Sequence, residues 1–233
     1  MNCALIFAGG TGQRMHSTSR PKQFLEHDGK PVIIHTVSVF DSHPGIDAIV
    51  IVCLEGWIDY LTDSLDAFGI GKVVDVVRGG ATGQESIRAG IERLEADFPP
   101  ETTVLVHDGV RPLIDHATID ACIESVAVHG SAITVTPAIE TIVCAEEGRV
   151  IGITDRSTCV MARAPQCFLL GDLAAAHHSA VDEGLGDFID CASLMRHFGH
   201  ELFVIEGSPD NIKITTPSDF HAFQAMYDAR HGK

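Results

Sequence analysis

Short apolar runs alternate with longer amphipathic segments along most of the chain. The runs are rich in Val and Ile and are bounded by Gly, Pro or Asp, a pattern typical of buried β-strands. They cover residues 3–8, 47–53, 72–77, 103–107 and 132–137. In the segments between them, apolar residues recur at the spacing of an amphipathic helix. These predicted helices cover residues 31–43, 57–69, 84–98 and 116–130.

This alternation predicts an α/β fold, with a Rossmann-like, mostly parallel sheet and helices on both of its faces. In such sheets, ligands bind beyond the carboxyl ends of the strands. Three loops that contain glycine follow predicted strands, and their sequences are "AGGTGQRM", "RGGATGQES" and "HDGVRP". We therefore expect the three loops to converge at one edge of the sheet.

The alternation breaks between about residues 138 and 165. The pieces "ETIVC" and "RVIGIT" read as two strands, and "AEEG" between them as a hairpin turn. Because this segment has no helix of its own, we interpret it as a β-arm that protrudes from the main body and is a candidate for subunit contact. No repeat or linker is visible, so residues 1–233 are predicted to form a single domain with the arm at about 138–165.

Regular patterns return after the arm. Helices are predicted over residues 171–184 and 190–199, followed by a strand over 201–207. The chain then ends with a short strand around "NIKIT" and a final helix. Thr216 is a good N-cap for that helix, Pro217 suits its first turn, and the carboxylate of Asp219 suits the positive end of its dipole.

The charge balance excludes several classes of function. The chain has 32 Asp and Glu residues against 16 Lys and Arg residues, a formal net charge of -16. Non-specific nucleic-acid binding and docking on anionic membranes both need a basic surface, so neither is expected. The seven cysteines include no C-x-x-C pair, which favours reduced thiols and a cytoplasmic location. No signal segment or run of membrane-spanning length is apparent.

Against this acidic background, the first glycine loop is locally basic. Arg14, Arg20 and Lys22 fall within nine residues, directly after the glycines of "AGGTG". Backbone N–H groups of such a loop can contact phosphate closely, and the basic side chains can neutralise it. Neither the dinucleotide fingerprint nor the Walker motif is present. A tight turn with solvated basic side chains is the alternative interpretation.

The other loops carry further candidate residues. Asp108 and Arg111 follow a buried strand, where a carboxylate can hold Mg²⁺ and an arginine can clamp an anion. A helix-capping Asp and a surface Arg are the alternative. Ser86 either contacts a ribose or phosphate oxygen or caps its helix. Lys213 lies between two isoleucines, and an inward-facing lysine there needs an anionic partner.

Four separated motifs together suggest a family. "AGGTGQRM…RPKQF", "HDGVRP", "APQCF" and "DNIKIT" occur in this order. The first resembles the N-terminal signature of the nucleotide-sugar pyrophosphorylase-like nucleotidyltransferases. The set resembles the cytidylyltransferases that act on 2-C-methyl-D-erythritol 4-phosphate or D-ribitol 5-phosphate. The resemblance covers essentially the whole chain, including the β-arm.

The resemblance implies an Mg²⁺-dependent reaction in which CMP passes from CTP to a polyol phosphate with release of pyrophosphate. It implies catalytic roles for Arg14, Lys22 and Lys213. The CTP site that it implies is made of Ala8, Gly9, Gly10, Gly12, Gly80, Ser86 and Asp108. Asp108 is also the implied Mg²⁺ ligand. The acceptor-binding residues that it implies are Arg111, Thr141, Arg156 and Lys213, with Arg156 reaching from the arm into the site of a second subunit in a homodimer.

The chain departs from the family pattern at four positions, one of them near Ala81, where members commonly have an acidic residue. Gly83 stands where members commonly have arginine, Ile189 where they have threonine, and Ala164 replaces the threonine of "TPQ". Loss of the arginine leaves open a nucleotide-binding regulator without catalysis, and another base or a sugar phosphate is a third possibility. "AGG", "KPVIIHTV", "GVRPL" and "ETIV" look closer to the ribitol-phosphate branch, whereas "TDR" with Arg156 is shared with the methylerythritol branch. We predict ribitol 5-phosphate as the acceptor, with methylerythritol 4-phosphate as the alternative.

Overall fold

The computed structural model describes residues 1–9 and 20–233. Its strands are β1 (Asn2–Ala8), β2 (Glu26–His27), β3 (Lys30–Pro31), β4 (Ala48–Cys53), β5 (Val73–Arg78), β6 (Thr103–Asp108), β7 (Ser131–Pro137), β8 (Ile142–Glu146), β9 (Arg149–Thr154), β10 (Val160–Leu169) and β11 (Val204–Glu206). Its α-helices are α1 (Val32–Ser42), α2 (Ile58–Ala67), α3 (Gly83–Asp97), α4 (His116–His129), α5 (Leu170–Asp182), α6 (Cys191–His197) and α7 (Pro217–His231).

The central sheet has the strand order β11-β7-β10-β6-β1-β4-β5. All of its neighbouring pairs are parallel except the two that involve β10, which runs antiparallel to both β6 and β7. The predicted α/β fold with a mostly parallel sheet is therefore confirmed. The five strands and four helices predicted before residue 138 all form, with bounds that differ by one or two residues.

Alternating side chains of the central strands build two separate cores. In β1, Cys3 and Leu5 pack toward α3, α5 and α6, whereas Ala4 and Ile6 pack toward α1, α2 and α4. Every residue of β4 and β6 is buried, as expected for parallel strands that are covered on both faces. The continuous apolar runs in the sequence thus reflect burial from two sides.

Two predictions for the second half of the chain are wrong. Residues 211–215 form no strand in the structure; Ile214 N–H donates to the Val110 carbonyl, and the segment otherwise runs as an irregular connection to α7. Residues 160–165 are not simply part of the arm, because they begin β10, which enters the central sheet. Pro165 conceals this strand in the sequence, since proline cannot donate to a sheet ladder and disfavours strand assignments.

The hairpin predicted within the arm is present. β8 and β9 pair antiparallel around a turn at Glu147 and Gly148, both with positive φ. The hairpin pairs with no other strand among the described residues, and most of its residues are exposed. Its large apolar side chains Val150, Ile151 and Ile153 are 62–72% exposed. Elsewhere, the capping box between Thr216 and Asp219 forms as predicted at the start of α7.

Within residues 1–9 and 20–233, no helix combines the length and the apolar character needed to cross a bilayer.

Tight packing of α3 on the sheet depends on Gly90. A Cβ atom at this position would lie 2.3 Å from Leu5 Cδ1 and 2.9 Å from Val52 Cγ2. We expect Gly90→Ala to lower the free energy of unfolding by about 1–3 kcal/mol, as overpacked cores do. Gly83→Ala, at the start of the same helix, is the matched control, because no described atom outside its own helix and chain neighbours lies within 4 Å of the new Cβ. Urea denaturation checks the pair, and equal stabilities would contradict this account of the helix packing.

Candidate active site

A cleft of about 640 Å³ opens where β1 and β6 end. Asp108 lies at the end of β6, and Lys213 and Arg111 lie beside it. The remaining walls come from the start of α3, the residues of β10 before Gln166, and the loop before α6. The position agrees with the rule that ligands bind at the carboxyl edge of a parallel sheet.

Asp108 is held between two cations. Arg111 Nε donates to Oδ2 at 2.7 Å, and Lys213 Nζ lies 2.6 Å from Oδ1. The side chains of Asp108 and Arg111 are 7% and 8% exposed, whereas that of Lys213 is 40% exposed. Lys213 therefore has the anionic partner that its sequence position required. Arg111 is buried, so its interpretation as a surface arginine is wrong.

The two cations keep Asp108 ionised in spite of its burial. Burial raises the pKa of this carboxyl, but the charges of Lys213 and Arg111 and their hydrogen bonds outweigh it and lower the pKa to about 2. Behind Asp108, His107 is fully buried, and burial lowers the pKa of its imidazole to about 3. A neutral histidine adds no competing positive charge beneath the site.

Asn211 connects the site to the part of β10 that contains Pro165. Its carbonyl accepts a hydrogen bond from Arg111 Nη1 at 2.9 Å, and its side-chain amide donates to the Ala164 carbonyl at 2.7 Å. The Ala164–Pro165 peptide bond is cis. Asn211 is fully buried and fixes the segment that presents Lys213. The motif "DNIKIT" was recognisable in the sequence, but this structural role of its asparagine was not.

The loop after β5 is organised by Ser86. Its hydroxyl accepts from Gly80 N–H at 3.1 Å and donates to the Thr82 carbonyl at 2.8 Å. A Cβ atom at Gly9 would lie 3.3 Å from the same hydroxyl, so the end of β1 adjoins this loop. Ser86 is not the helix cap, because Thr82 caps α3 in a capping box with Glu85. Two of the three predicted loops are thus in contact at residues that the structure describes.

The rest of the first loop is only partly described. Gly10, Gly12 and Arg14 lie outside the described residues. Lys22 begins a 3₁₀ turn (Lys22–Phe24), which is tied to β1 because Gln23 Nε2 donates to the Ala8 carbonyl at 2.6 Å. The chain therefore returns to the end of β1 before it continues to β2.

Two predicted acceptor-binding residues, Thr141 and Arg156, are not among those that line this cleft. Thr141 is exposed at the base of the arm, and Arg156 is exposed beyond β9. The Arg156 guanidinium donates to the Ile139 carbonyl at 2.8 Å. Neither residue lines the cleft around Asp108.

The departures at Gly83 and Ile189 both line the cleft. Apart from its chain neighbours and the backbone of its own helix, no described atom lies within 4 Å of the position that a Cβ atom would take at Gly83, so there is open space around that position among the described residues. Ile189 is 94% exposed and belongs to the loop before α6. The neighbouring Asp190 caps α6 and accepts a hydrogen bond from Gln166 Nε2 at 2.8 Å. Gln166 and Arg163 also line the cleft; Gln166 belongs to the "APQCF" motif, but the sequence analysis assigned no role to either side chain.

Comparison with known proteins identifies the family. The family model described as "IspD: 2-C-methyl-D-erythritol 4-phosphate cytidylyltransferase" matches residues 2–228. The chain belongs to this family. It is therefore an enzyme of the cytidylyltransferase class, which disfavours a regulator without catalysis.

Several relatives cover almost the whole chain. Ribitol-5-phosphate cytidylyltransferase of Vibrio parahaemolyticus serotype O3:K6 is 48% identical over 99% of this chain and 97% of its own length. The protein of the same name from Streptococcus agalactiae serotype V is 45% identical, with 100% and 98% covered. 2-C-methyl-D-erythritol 4-phosphate cytidylyltransferase of Bacillus velezensis is 36% identical, with 98% and 96% covered. The crystal structure of the Francisella tularensis enzyme of that second name has 26% identity and a TM-score of 0.80, with 97% and 98% covered.

Replacement of Asp108 by Asn should destabilise the protein strongly, because two cations lose their charged partner. We expect the free energy of unfolding to fall by about 3–5 kcal/mol near neutral pH. Lys213→Met should lower the free energy of unfolding by less, because Asp108 is still paired with Arg111 and the lysine is partly exposed. Urea denaturation of both variants and the wild type checks this order.

The difference in the free energy of unfolding between wild type and Asp108→Asn should also depend on pH. The pKa of Asp108 in the folded protein, about 2, lies below the value of about 3.9 for an unfolded chain. Its contribution to stability is therefore complete above about pH 4 and is lost as the pH falls toward 2. A difference that stayed constant over this range would contradict a buried, ionised Asp108.

Proposed function

We propose that the enzyme transfers the cytidylyl group from CTP to D-ribitol 5-phosphate, giving CDP-ribitol and pyrophosphate. The observation that carries this proposal is the cluster of Asp108, Arg111 and Lys213 at the carboxyl edge of the sheet. It combines an ionised carboxylate with two cations in one cleft, as a reaction between two phosphate groups needs. We also propose that the whole chain acts as one domain.

Ribitol 5-phosphate is favoured as the acceptor by similarity. The two relatives named for ribitol 5-phosphate are 45% and 48% identical to this chain, against 36% for the relative named for methylerythritol phosphate. Methylerythritol 4-phosphate is the second candidate, because the family model carries that name. The open space at Gly83 supports an acceptor or nucleotide contact that differs from the usual family pattern.

In the proposed reaction, an oxygen of the acceptor's phosphate attacks the α-phosphorus of CTP in line with the leaving group. A new phosphorus–oxygen bond forms, the bond from the α-phosphorus to the bridging oxygen breaks, and pyrophosphate leaves with that electron pair. Because the nucleophile is already an anion, no general base is required. Catalysis consists of positioning and of neutralising charge.

The proposed role of each residue in positioning and in neutralising charge follows from its burial. Lys213 is partly exposed and shares its charge between Asp108 and the acceptor phosphate. Arg111 is buried and held by Asp108 and the Asn211 carbonyl, so it provides a fixed positive charge. Arg14 and Lys22 neutralise the triphosphate. All of these roles are proposals from the family resemblance and the charges.

Asp108 is a suitable Mg²⁺ ligand. Its carboxylate is ionised, and each oxygen, which already accepts one hydrogen bond, retains a further lone pair. Within the described residues, no group of three or more His, Cys, Asp or Glu side chains could hold a metal. This agrees with Mg²⁺ sites in which one or two carboxylates act together with substrate phosphates. When bound, the ion would supply positive charge to those phosphates.

The nucleotide is proposed to bind on the β1 side of the cleft. Ala8 and Gly9 end β1, and Gly80 and Ser86 belong to the adjoining loop and helix. Glycine is required at residue 80, because a Cβ atom there would lie 2.3 Å from Glu85 Cβ. Gly10 and Gly12 complete the proposed CTP site.

The arm is proposed to join two subunits. Its exposed apolar side chains are a surface that a second copy of the chain could cover. Thr141 and Arg156 are not among the residues that line the cleft of their own protomer, so a role in acceptor binding requires them to act at the partner's site. The proposed homodimer is thus needed to complete each site.

The proposed reaction predicts that the wild-type enzyme releases pyrophosphate from CTP with ribitol 5-phosphate in the presence of Mg²⁺. Release should be much slower with methylerythritol 4-phosphate and should stop on addition of EDTA. A coupled pyrophosphate assay with both acceptors in parallel measures this. Release with methylerythritol 4-phosphate alone would overturn the choice of acceptor, and release that resists EDTA would overturn the role of the metal.

The proposed shared site predicts complementation between subunits. Arg156→Ala and Lys213→Ala should each lower kcat/KM by about 100-fold or more, because each removes a phosphate-binding charge. A heterodimer of the two variants, isolated through two different tags, keeps one intact site and should regain about half of the wild-type activity per dimer.

A heterodimer of Lys22→Ala and Lys213→Ala is the matched control. Both of its substitutions affect the site of their own protomer, so neither site is intact and no activity should return. An inactive Arg156→Ala and Lys213→Ala heterodimer, or full activity of Arg156→Ala alone, would refute the shared site.

A further inference from the structure

Arg163 occupies an irregular position in β10. Ala162 pairs with Val135 and Gln166 pairs with Ile133, so the three residues between them face a single residue of β7. Such a bulge redirects side chains and is common beside active sites. Here it brings Arg163 to the wall of the cleft that contains Asp108.

The Arg163 guanidinium lacks a charge partner among the residues that the structure describes. Its Nε donates to Thr136 Oγ1 at 3.3 Å, and no described carboxylate oxygen lies within 4 Å. Arg111 and Lys213, by contrast, share the carboxylate of Asp108. This part of the cleft therefore carries three cations and one carboxylate, which is paired with Arg111 and Lys213 but not with Arg163.

The other acidic side chains that line the cleft do not neutralise Arg163. Asp190 accepts hydrogen bonds from Gln166 and from the first turn of α6, and the carboxylate oxygens of Asp187 lie more than 4 Å from the guanidinium nitrogens of Arg163. Burial and the nearby charge of Arg111 both lower the pKa of Arg163. A half-buried arginine beside a second arginine is unfavourable unless an anion joins them.

We propose that Arg163 binds the phosphate group of the acceptor polyol, together with Arg111 and Lys213. The inference rests on the proposed transfer to a polyol phosphate and adds a residue to that site. A guanidinium can donate two parallel hydrogen bonds to phosphate oxygens, which fixes the orientation of the attacking group.

The order of the strands indicates that Arg163 binds the acceptor phosphate and not the triphosphate. Of the proposed CTP residues, Gly9 follows β1, Gly80 follows β5, and Ser86 lies near the start of α3. Arg163 lies on β10, which adjoins β6 on the side away from β1. The phosphate nearest to Arg163 therefore belongs to the substrate that binds on the β10 side of Asp108, which is the acceptor.

Steady-state kinetics of Arg163→Gln test the proposal. The KM for ribitol 5-phosphate should rise about 10- to 100-fold, as expected when a charge-assisted contact is lost, with the KM for CTP nearly unchanged. Arg163→Lys should recover part of the loss. Arg196→Gln, an exposed arginine on α6, is the matched control for the change of charge and should behave as wild type.

Two further measurements separate this role from a structural one and from failure of the reaction. Thr136→Val removes the hydrogen bond of Arg163 within the protein and should not reproduce the effect on KM. Calorimetric binding of ribitol 5-phosphate without CTP should weaken in Arg163→Gln, whereas the wild type should discriminate strongly against unphosphorylated ribitol.

The outcomes are distinguishable. No pyrophosphate release by the wild type with ribitol 5-phosphate, with binding still weakened by Arg163→Gln, would defeat the proposed reaction and leave the phosphate site standing. Equal binding by wild type and Arg163→Gln, no binding by the wild type, or a rise confined to the KM for CTP would overturn the role of Arg163.

Discussion

The ionised carboxylate of Asp108, held between Arg111 and Lys213, is the interaction on which the site depends. A buried carboxylate is unfavourable without charged partners, so both cations are required where they are. They come from distant parts of the chain: Arg111 follows β6 and Lys213 precedes α7. The site therefore forms only when the C-terminal segment is folded against the sheet, and Asn211 fastens that segment to the wall formed by β10.

Much of the fold could be predicted from the sequence, because parallel strands covered on two faces leave continuous apolar runs. β4 and β6 are fully buried, and both were recognisable for that reason. β10 was obscured because its direction, its bulge and Pro165 all break the pattern of a regular strand. The segment around Lys213 looked like a strand because of its two isoleucines, yet it is ordered by single hydrogen bonds rather than by a ladder.

The candidate site likewise contains residues that were predictable from the sequence and residues that were not. Asp108 and Arg111 were predictable because they follow a buried strand directly, where the fold class itself indicates ligand binding. Asp108 as the partner of Lys213 and the position of Arg163 on the cleft were not predictable from spacing, since both depend on contacts between segments far apart in the chain. Ser86 shows a third case, in which the residue was identified but its hydroxyl proves to organise the glycine loop.

Because β10 runs antiparallel to its neighbours in the sheet, it leads directly from the arm to the wall of the cleft. A parallel strand at this place would keep these two parts of the molecule apart. The strand begins beside the arm, with Val160 and Met161 exposed, and reaches the wall of the cleft at Arg163 within a few residues. The proposed subunit contact and the proposed acceptor site thus share one short stretch of backbone. Substitutions that reshape one of them also shift the other, so acceptor preference and subunit pairing are expected to change together during divergence of these enzymes.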